Sequence, residues 1–269
     1  MVTGANSGIG LATARGLVQA DWTAVMLCRS AERGTAAQSL IEQETGRCPQ
    51  LVLGDLADPA SIRRAAGEIM QAHPRVDALI NNAGVYLPRR MESVDGLEMT
   101  FAVNHLGAFR LTLALEPALL PGCRVINVSS LAHRGGRMDW SDLQRERRRY
   151  WGYLAYGDSK LCNVLFTREL ARRWADRGVS AHAVHPGVIA SGFGQDEPGF
   201  FNRLYRLGAP LLGSPEGGAA TSIHVATSDE GGRLTGKYWS GQRVRRPSRA
   251  ALNVADAGRL WELSLALRG

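Results

Sequence analysis

Short apolar runs suited to buried strands alternate with helix-length amphipathic stretches along this whole chain. That alternation constrains the fold more than any single motif. The strand candidates are residues 23–28, 51–54, 78–81, 124–128, 180–185 and 237–240. Helical patterns near 9–20, 31–45, 61–73, 97–120, 154–177 and 215–227 follow or separate them. Asp58-Pro59 and Ser214-Pro215 mark helix N-termini, where proline loses no needed N–H. Alternation of this kind yields an α/β fold, a doubly wound, mostly parallel sheet with helices on both faces. No repeat, low-complexity tract or linker interrupts the 269 residues, so a single domain over 1–269 is expected. In such sheets ligands sit beyond the carboxyl ends of the strands, at the topological switch point.

Thr3-Gly4-Ala5-Asn6-Ser7-Gly8-Ile9-Gly10 runs straight into the first helical pattern. Glycines 4, 8 and 10 allow a tight turn and close approach of backbone to a pyrophosphate at a helix N-terminus. Gly4, Asn6, Ser7, Gly8, Ile9 and Gly10 are therefore candidate coenzyme contacts, a glycine-rich helix entry without ligand being the plainer alternative. The spacing is G-x-x-x-G-x-G, not the general G-x-G-x-x-G fingerprint. Only Met1 and Val2 precede Thr3, so the central strand is expected to be a truncated stub, with a mis-set start or a shortened chain as its cause.

Arg29 follows the second strand candidate. An acidic residue there would hold a ribose 2′-hydroxyl, whereas Arg29 offers a planar donor fork to a 2′-phosphate, with Arg33 one turn on. Preference for NADP(H) over NAD(H) is expected; a surface arginine is the alternative. Asp55-Leu56 ends the third strand, where a carboxylate suits an adenine amino group or caps the next turn. Asn81-Asn82-Ala83-Gly84 closes the fourth with residues small enough for close contact with a coenzyme. Asn104 lies in an otherwise apolar helical stretch and needs partners, holding a kink or a water. Ser129-Ser130 ends the apolar strand 124–128 at the edge where ligands bind, capping by either hydroxyl being the plainer alternative, and His185-Pro186-Gly187 turns the chain close to where a nicotinamide would lie. Tyr156 and Lys160, four residues apart, share one helix face, where an ammonium favours the phenolate and tunes a phenol for acid/base work.

As a set and in this order, these residues resemble the short-chain dehydrogenase/reductase family over essentially the whole chain. Val125-Ile-Asn-Val-Ser-Ser-Leu-Ala-His133, the long insertion before Tyr156, Ser159-Lys-Leu-Cys-Asn-Val-Leu-Phe166 and Gly236-Lys-Tyr-Trp-Ser240 look like its retinol-dehydrogenase-like branch. The string around Tyr156 is also similar to protochlorophyllide reductases, which reduce C=C bonds, although Asn81–Gly84 and the wider match favour the retinol-like side. The resemblance implies a Rossmann-type domain, its coenzyme part in 1–128 and its catalytic and substrate part in 129–269. It implies Tyr156 as general acid in reduction and base in oxidation, and Lys160 lowering the pKa of Tyr156 and holding the nicotinamide ribose. Ser130 would donate to the substrate oxygen, and Asn104 would hold a water. Pro186, Gly187, Val188 and Ser191 would line the coenzyme. The segment 188–213, rich in Gly, Phe, Leu and Pro, is expected to grip the substrate, its Phe193, Phe200, Phe201, Leu204, Tyr205, Leu207, Leu211 and Leu212 forming either an apolar lid or the packing face of a short helix on the domain. A small lipophilic carbonyl or alcohol is the expected partner, and a homodimer through the long helices is expected of the family. No metal is expected.

The net charge of +7 admits three partners: an anionic coenzyme, an anionic membrane surface or nucleic acid. Its excess lies in Arg145-Glu-Arg-Arg-Arg149 and in Arg243-Val-Arg-Arg246 with Arg249, without the aromatic interleaving of a nucleic-acid module. A solvated basic surface is the preferred reading, weak membrane-surface association the minority one, and no nucleic-acid binding is expected. Cys28, Cys48, Cys123 and Cys162 are scattered, no run of about 18 apolar residues occurs, and no signal pattern opens the chain. A cytoplasmic enzyme is therefore expected. The N-terminal membrane anchor of many animal retinol-like members is not seen in these residues, which weakens any transfer of retinoid physiology. Two non-enzymatic alternatives are an NADP-binding regulator on the same fold and an interaction protein binding acidic surfaces through its arginines.

Overall fold

A computed structural model describes residues 1–187 and 213–269. The strands β1 (Val2–Thr3), β2 (Val25–Cys28), β3 (Gln50–Leu53), β4 (Ala78–Asn81), β5 (Arg124–Val128), β6 (Ser180–His185), β7 (Lys237–Ser240) and β8 (Arg243–Arg245) form one sheet. Its order is β3-β2-β1-β4-β5-β6-β7-β8, parallel except for the β7–β8 hairpin. β1 is short but buried, and Met1 extends its ladder: the Met1 amino group donates to Ala78 O (2.8 Å) and Ile80 N donates to Met1 O (2.9 Å).

Both faces of the central sheet are buried, which is why its inner strands read as unbroken apolar runs; the edge strand β8 is exposed. Val25, Leu27, Leu79, Val125, Ala181 and Tyr238 face a core shared with α3 (Pro59–Ala72), α5 (Gly107–Ala114), α6 (Gly152–Arg173) and α9 (Val254–Ala266). The alternate residues Met26, Ile80, Ile126, Val184 and Trp239 face α1 (Gly8–Gln19), α2 (Ala31–Thr45) and α7 (Pro215–Thr227). Side chains alternate because successive strand residues point to opposite faces. Caps set the helix starts: the side chains of Ser30, Asp58, Ser214 and Asn253 accept from amides of α2, α3, α7 and α9. A short α8 (Asp229–Arg233) follows α7.

Several elements differ from the sequence expectation. The stretch 97–120 is not one helix. It comprises α4 (Met99–Phe101), a π-helical turn Ala102–Leu106, α5 and a 3-10 turn Glu116–Ala118. β8, α8 and α9 do not appear in the sequence expectation. The first arginine cluster is only partly solvated, because Arg145 is buried against Asp158 and Arg148 lies half-buried among Asp139, Asp142 and Asp158. Arg243, Arg245, Arg246 and Arg249 are exposed, as expected of a basic surface.

Candidate active site

The strand order reverses between β1 and β4, and the glycine turn and Asn81–Gly84 leave those neighbouring strands side by side. Thr3 locks them together: its Oγ1 accepts from Asn82 N (3.0 Å) and Ala83 N (2.9 Å), and Asn82 Nδ2 donates to Thr3 O (2.9 Å). Gly4 and Gly8 take left-handed φ values of +64° and +53°. A Cβ on Gly10 would lie 2.2 Å from Gly4 O, so only glycine lets α1 start this close to the turn. By contrast nothing lies within 4 Å of where a Gly8 Cβ would be. Ser7 precedes α1 without a side-chain capping bond, leaving the first amides of the helix to an incoming acceptor. Asn6 is half-buried and Ile9 opens the first turn of α1.

Arg29 is exposed at the end of β2, and Arg33 in the first turn of α2 is exposed beside it. Asp55 Oδ1 accepts from Ala57 N (2.9 Å), so it does cap the turn after β3. Leu56 is buried in the core, where its backbone meets α5 at Gly107.

Four sequence-predicted residues converge beyond β4 and β5. Asn104 sits in the π-helical turn, a distortion that recurs at functional sites. Its Oδ1 accepts from Val85 N (2.6 Å), and its Nδ2 donates to Val85 O (2.9 Å) and Ser159 Oγ (2.9 Å). The ammonium of Lys160 donates to Val128 O (3.0 Å) and lies 5.4 Å from the centre of the Tyr156 ring. A side chain at Gly84 would come 3.3 Å from both Asn104 Oδ1 and Lys160 Nζ, so the glycine keeps that corner open. The Tyr156 phenol lies close enough to the Ser130 side chain to have its pKa lowered by it, and Ser130 Oγ accepts from Ala132 N (3.2 Å).

Burial pushes the Tyr156 phenol up to about 12, with the Ser130 hydrogen bond opposing it, and pushes Lys160 down to about 8. At neutral pH Tyr156 therefore holds its proton and Lys160 remains largely an ammonium. The expected lowering of Tyr156 by Lys160 does not appear: desolvation dominates, and Ser130, not Lys160, is the group that opposes it. Ser129 Oγ donates to Lys160 O (2.8 Å), pinning α6 to the end of β5. Pro186 is half-buried and Gly187, at φ +95°, is exposed; Val188, Ser191 and all the apolar lid residues lie outside the described residues. No cluster that could hold a metal ion occurs among the described residues. None of their helices is long and apolar enough to cross a membrane.

Sequence reasoning passed over two neighbours of this site. Tyr86 meets the Tyr156 ring edge-on at 6.4 Å, and its place just past Gly84 was the available signal. Asp158, inside Tyr156-Gly-Asp-Ser-Lys160, accepts from Arg137 N (2.8 Å) and Arg145 Nη2 (2.5 Å). It thereby fastens the insertion before α6 to α6 itself.

The family model for short chain dehydrogenases matches residues 1–198. Mouse retinol dehydrogenase 12 is 41% identical over 272 residues, covering 100% of this chain and 85% of the relative. Human retinol dehydrogenase 13 is 40% identical over 278 residues, covering 100% and 84%. Among solved structures, a Burkholderia cenocepacia short chain dehydrogenase in complex with NADP superposes with a TM-score of 0.70 at 27% identity, covering 94% and 96%. The chain belongs to the short-chain dehydrogenase family. Within it the protein is retinol-dehydrogenase-like, an NAD(P)-dependent oxidoreductase acting on CH–OH and C=O groups.

Proposed function

We propose that the protein interconverts a lipophilic aldehyde or ketone and its alcohol, using NADP(H) in preference to NAD(H). The Tyr156 phenol beside Ser130 and the buried Lys160, whose Nζ lies 5.4 Å from the ring centre, carries this reading. A dinucleotide coenzyme suits the residues present: the uncapped start of α1, the open space at Gly8 and the exposed Arg29 offer a diphosphate and a 2′-phosphate their donors. When bound, the coenzyme supplies or accepts the hydride.

The chain's own part is placement and proton movement. Ser130 Oγ and the Tyr156 hydroxyl converge where a carbonyl oxygen would sit, and together they stabilise the charge that develops on it. Tyr156, protonated at neutral pH, gives its proton to that oxygen in reduction and takes it back in oxidation. Lys160, held by Val128 O, keeps a positive charge behind the ring and would meet the ribose hydroxyls of a bound coenzyme. Leu131, next to Ser130 in sequence, and Tyr153, one helical turn before Tyr156, are exposed and would give the site an apolar rim. A lipophilic substrate suits that rim and the names of the retinol dehydrogenases to which the chain is similar.

The test is Tyr156→Phe, assayed with NADPH against a panel of aliphatic aldehydes, all-trans-retinal and sugar aldehydes. Turnover should fall by at least ~10²-fold, the scale of a lost general acid, with NADPH affinity unchanged. In the wild type, catalytic efficiency should rise with aldehyde chain length. Retained turnover in the variant, or a preference for polar aldehydes, refutes the reading.

A further inference from the structure

Ser130 can act on a substrate oxygen only if its own peptide is held, and the holding group is a histidine with no role so far. His133, one 3-10 turn beyond Ser130, is fully buried. Its Nδ1 lies 2.6 Å from Ser130 O, and its own backbone N–H donates to the same oxygen (3.1 Å). A carbonyl only accepts, so Nδ1 carries the proton. On the other side of the ring, Ser248 N donates to Nε2 (3.1 Å), so Nε2 carries none. The two partners thus define a neutral imidazole in one tautomer. Burial also pushes its pKa down, and Arg134 adds to that, while the Ser130 carbonyl opposes it. The ring is packed on Tyr238, centroid to centroid 4.9 Å.

The segment that fixes the tautomer returns from β8. Besides Ser248, Arg246 O accepts from Arg134 Nη2 (3.0 Å), and Ser248 Oγ accepts from Ala251 N (3.3 Å). The residues after β8 therefore lie as a strap across the turn that begins at Ser130.

We propose that His133 is a positioning residue for Ser130, transmitting the placement of the strap 246–251 to the serine through a neutral, Nδ1-protonated imidazole. Its two bonds saturate the Ser130 carbonyl, which fixes the plane of that peptide and so the direction of the hydroxyl that meets Tyr156. The inference rests on the role proposed for Ser130.

Three variants separate its two hydrogen bonds. His133→Asn places an amide nitrogen where Nδ1 stands and keeps the donor to Ser130 O. His133→Gln reaches the Nε2 position and keeps only the acceptor for Ser248 N. His133→Ala keeps neither. All are compared with Ser130→Ala in steady-state kinetics with NADPH and a medium-chain aldehyde, alongside thermal denaturation and NADPH binding by fluorescence. A misplaced catalytic group costs up to about 10²-fold, so kcat should fall ~10–100-fold in the Ala and Gln variants and stay within ~3-fold in Asn. NADPH affinity should be unchanged in all three. The Asn and Gln variants each lose one buried hydrogen bond, so their melting temperatures should drop alike while kcat separates them. A kcat that follows melting temperature rather than the donor, or a Gln variant as active as Asn, overturns the proposal. Should His133→Ala not fold, the Asn–Gln pair decides alone. Full turnover in Ser130→Ala sinks the role of Ser130 and this inference with it, whereas its loss together with an active Gln variant sinks this inference only.

Discussion

Removing the Asp158 carboxylate should cost far more than a surface charge would, because it strands a buried cation. The Asp158 side chain is 11% exposed and that of Arg145 4%, with 2.5 Å between Oδ2 and Nη2. Asp158→Ala deletes that contact and the bond from Arg137 N, leaving the Arg145 guanidinium in the interior without its acidic partner. Breaking a buried pair on one side costs about 3–5 kcal/mol. Arg148, at 3.6 Å from the same oxygen and about a third exposed, adds little because solvent screens it. At roughly 2–4 °C per kcal/mol for large domains, the melting temperature should fall by on the order of 10 °C. Burial raises the pKa of Asp158 in spite of Arg137 N–H, Arg145 and Arg148, so the pair itself is held at a desolvation cost. The double variant Asp158→Ala with Arg145→Met removes both charges and should therefore recover most of the loss, with a coupling of ~2–3 kcal/mol in the cycle. Differential scanning calorimetry with urea titrations measures each corner. A loss below ~1 kcal/mol for Asp158→Ala, or a double variant no better than the sum of the singles, refutes the buried-charge reasoning.

The parts of the molecule legible in the sequence were those set by short-range geometry. Tyr156 and Lys160 are one helical turn apart whatever surrounds them, and Ser130 follows a strand whose apolar run is unmistakable. The glycines are demanded by backbone: Gly10 by contact with Gly4 O, Gly4 and Gly8 by φ. Local signals also existed for one element that was missed. Gly241 and Gln242 both adopt positive φ, at +59° and +58°, the requirement of a two-residue hairpin turn. Glycine next to a polar residue after a clear strand announces such a turn, but the exposed Arg243–Arg245 that follows reads as a charge cluster, not a strand. Other features were illegible because they depend on distant partners. The π-helical turn at Asn104 leaves no periodicity to read over five residues. The burial of Arg145 depends on Asp158, and the role of His133 on Ser248, more than a hundred residues on.

Two further outcomes are expected. Arg29→Asp should lower NADPH affinity by ~1–3 kcal/mol, the scale of a charge-assisted contact, and leave NADH binding equal or better; fluorescence titration with both coenzymes checks it, and an unchanged preference points to Arg33 instead. Lys160 should make the stability of the coenzyme-free protein rise with pH. Its pKa is depressed by burial from 10.5 unfolded to about 8 folded. Between those values the unfolded chain binds the proton and the folded one does not, so raising the pH favours the fold, and the contribution is lost as pH falls through 8. From pH 7 to 9.5 about one and a half units of that window are crossed, worth ~2 kcal/mol. Cys28, Cys123 and Tyr156 have pKa values raised to about 11, 12 and 12, so their contributions run the other way, lost as pH rises through those values. Comparison with Lys160→Met cancels what the two proteins share. The stability of wild type minus that of Lys160→Met, from urea unfolding at both pH values, should therefore move toward the wild type as pH rises. A difference that stays flat, or moves the other way, would mean that the Lys160 ammonium is solvated or paired in the free protein, and the charge placed behind Tyr156 would then have another origin.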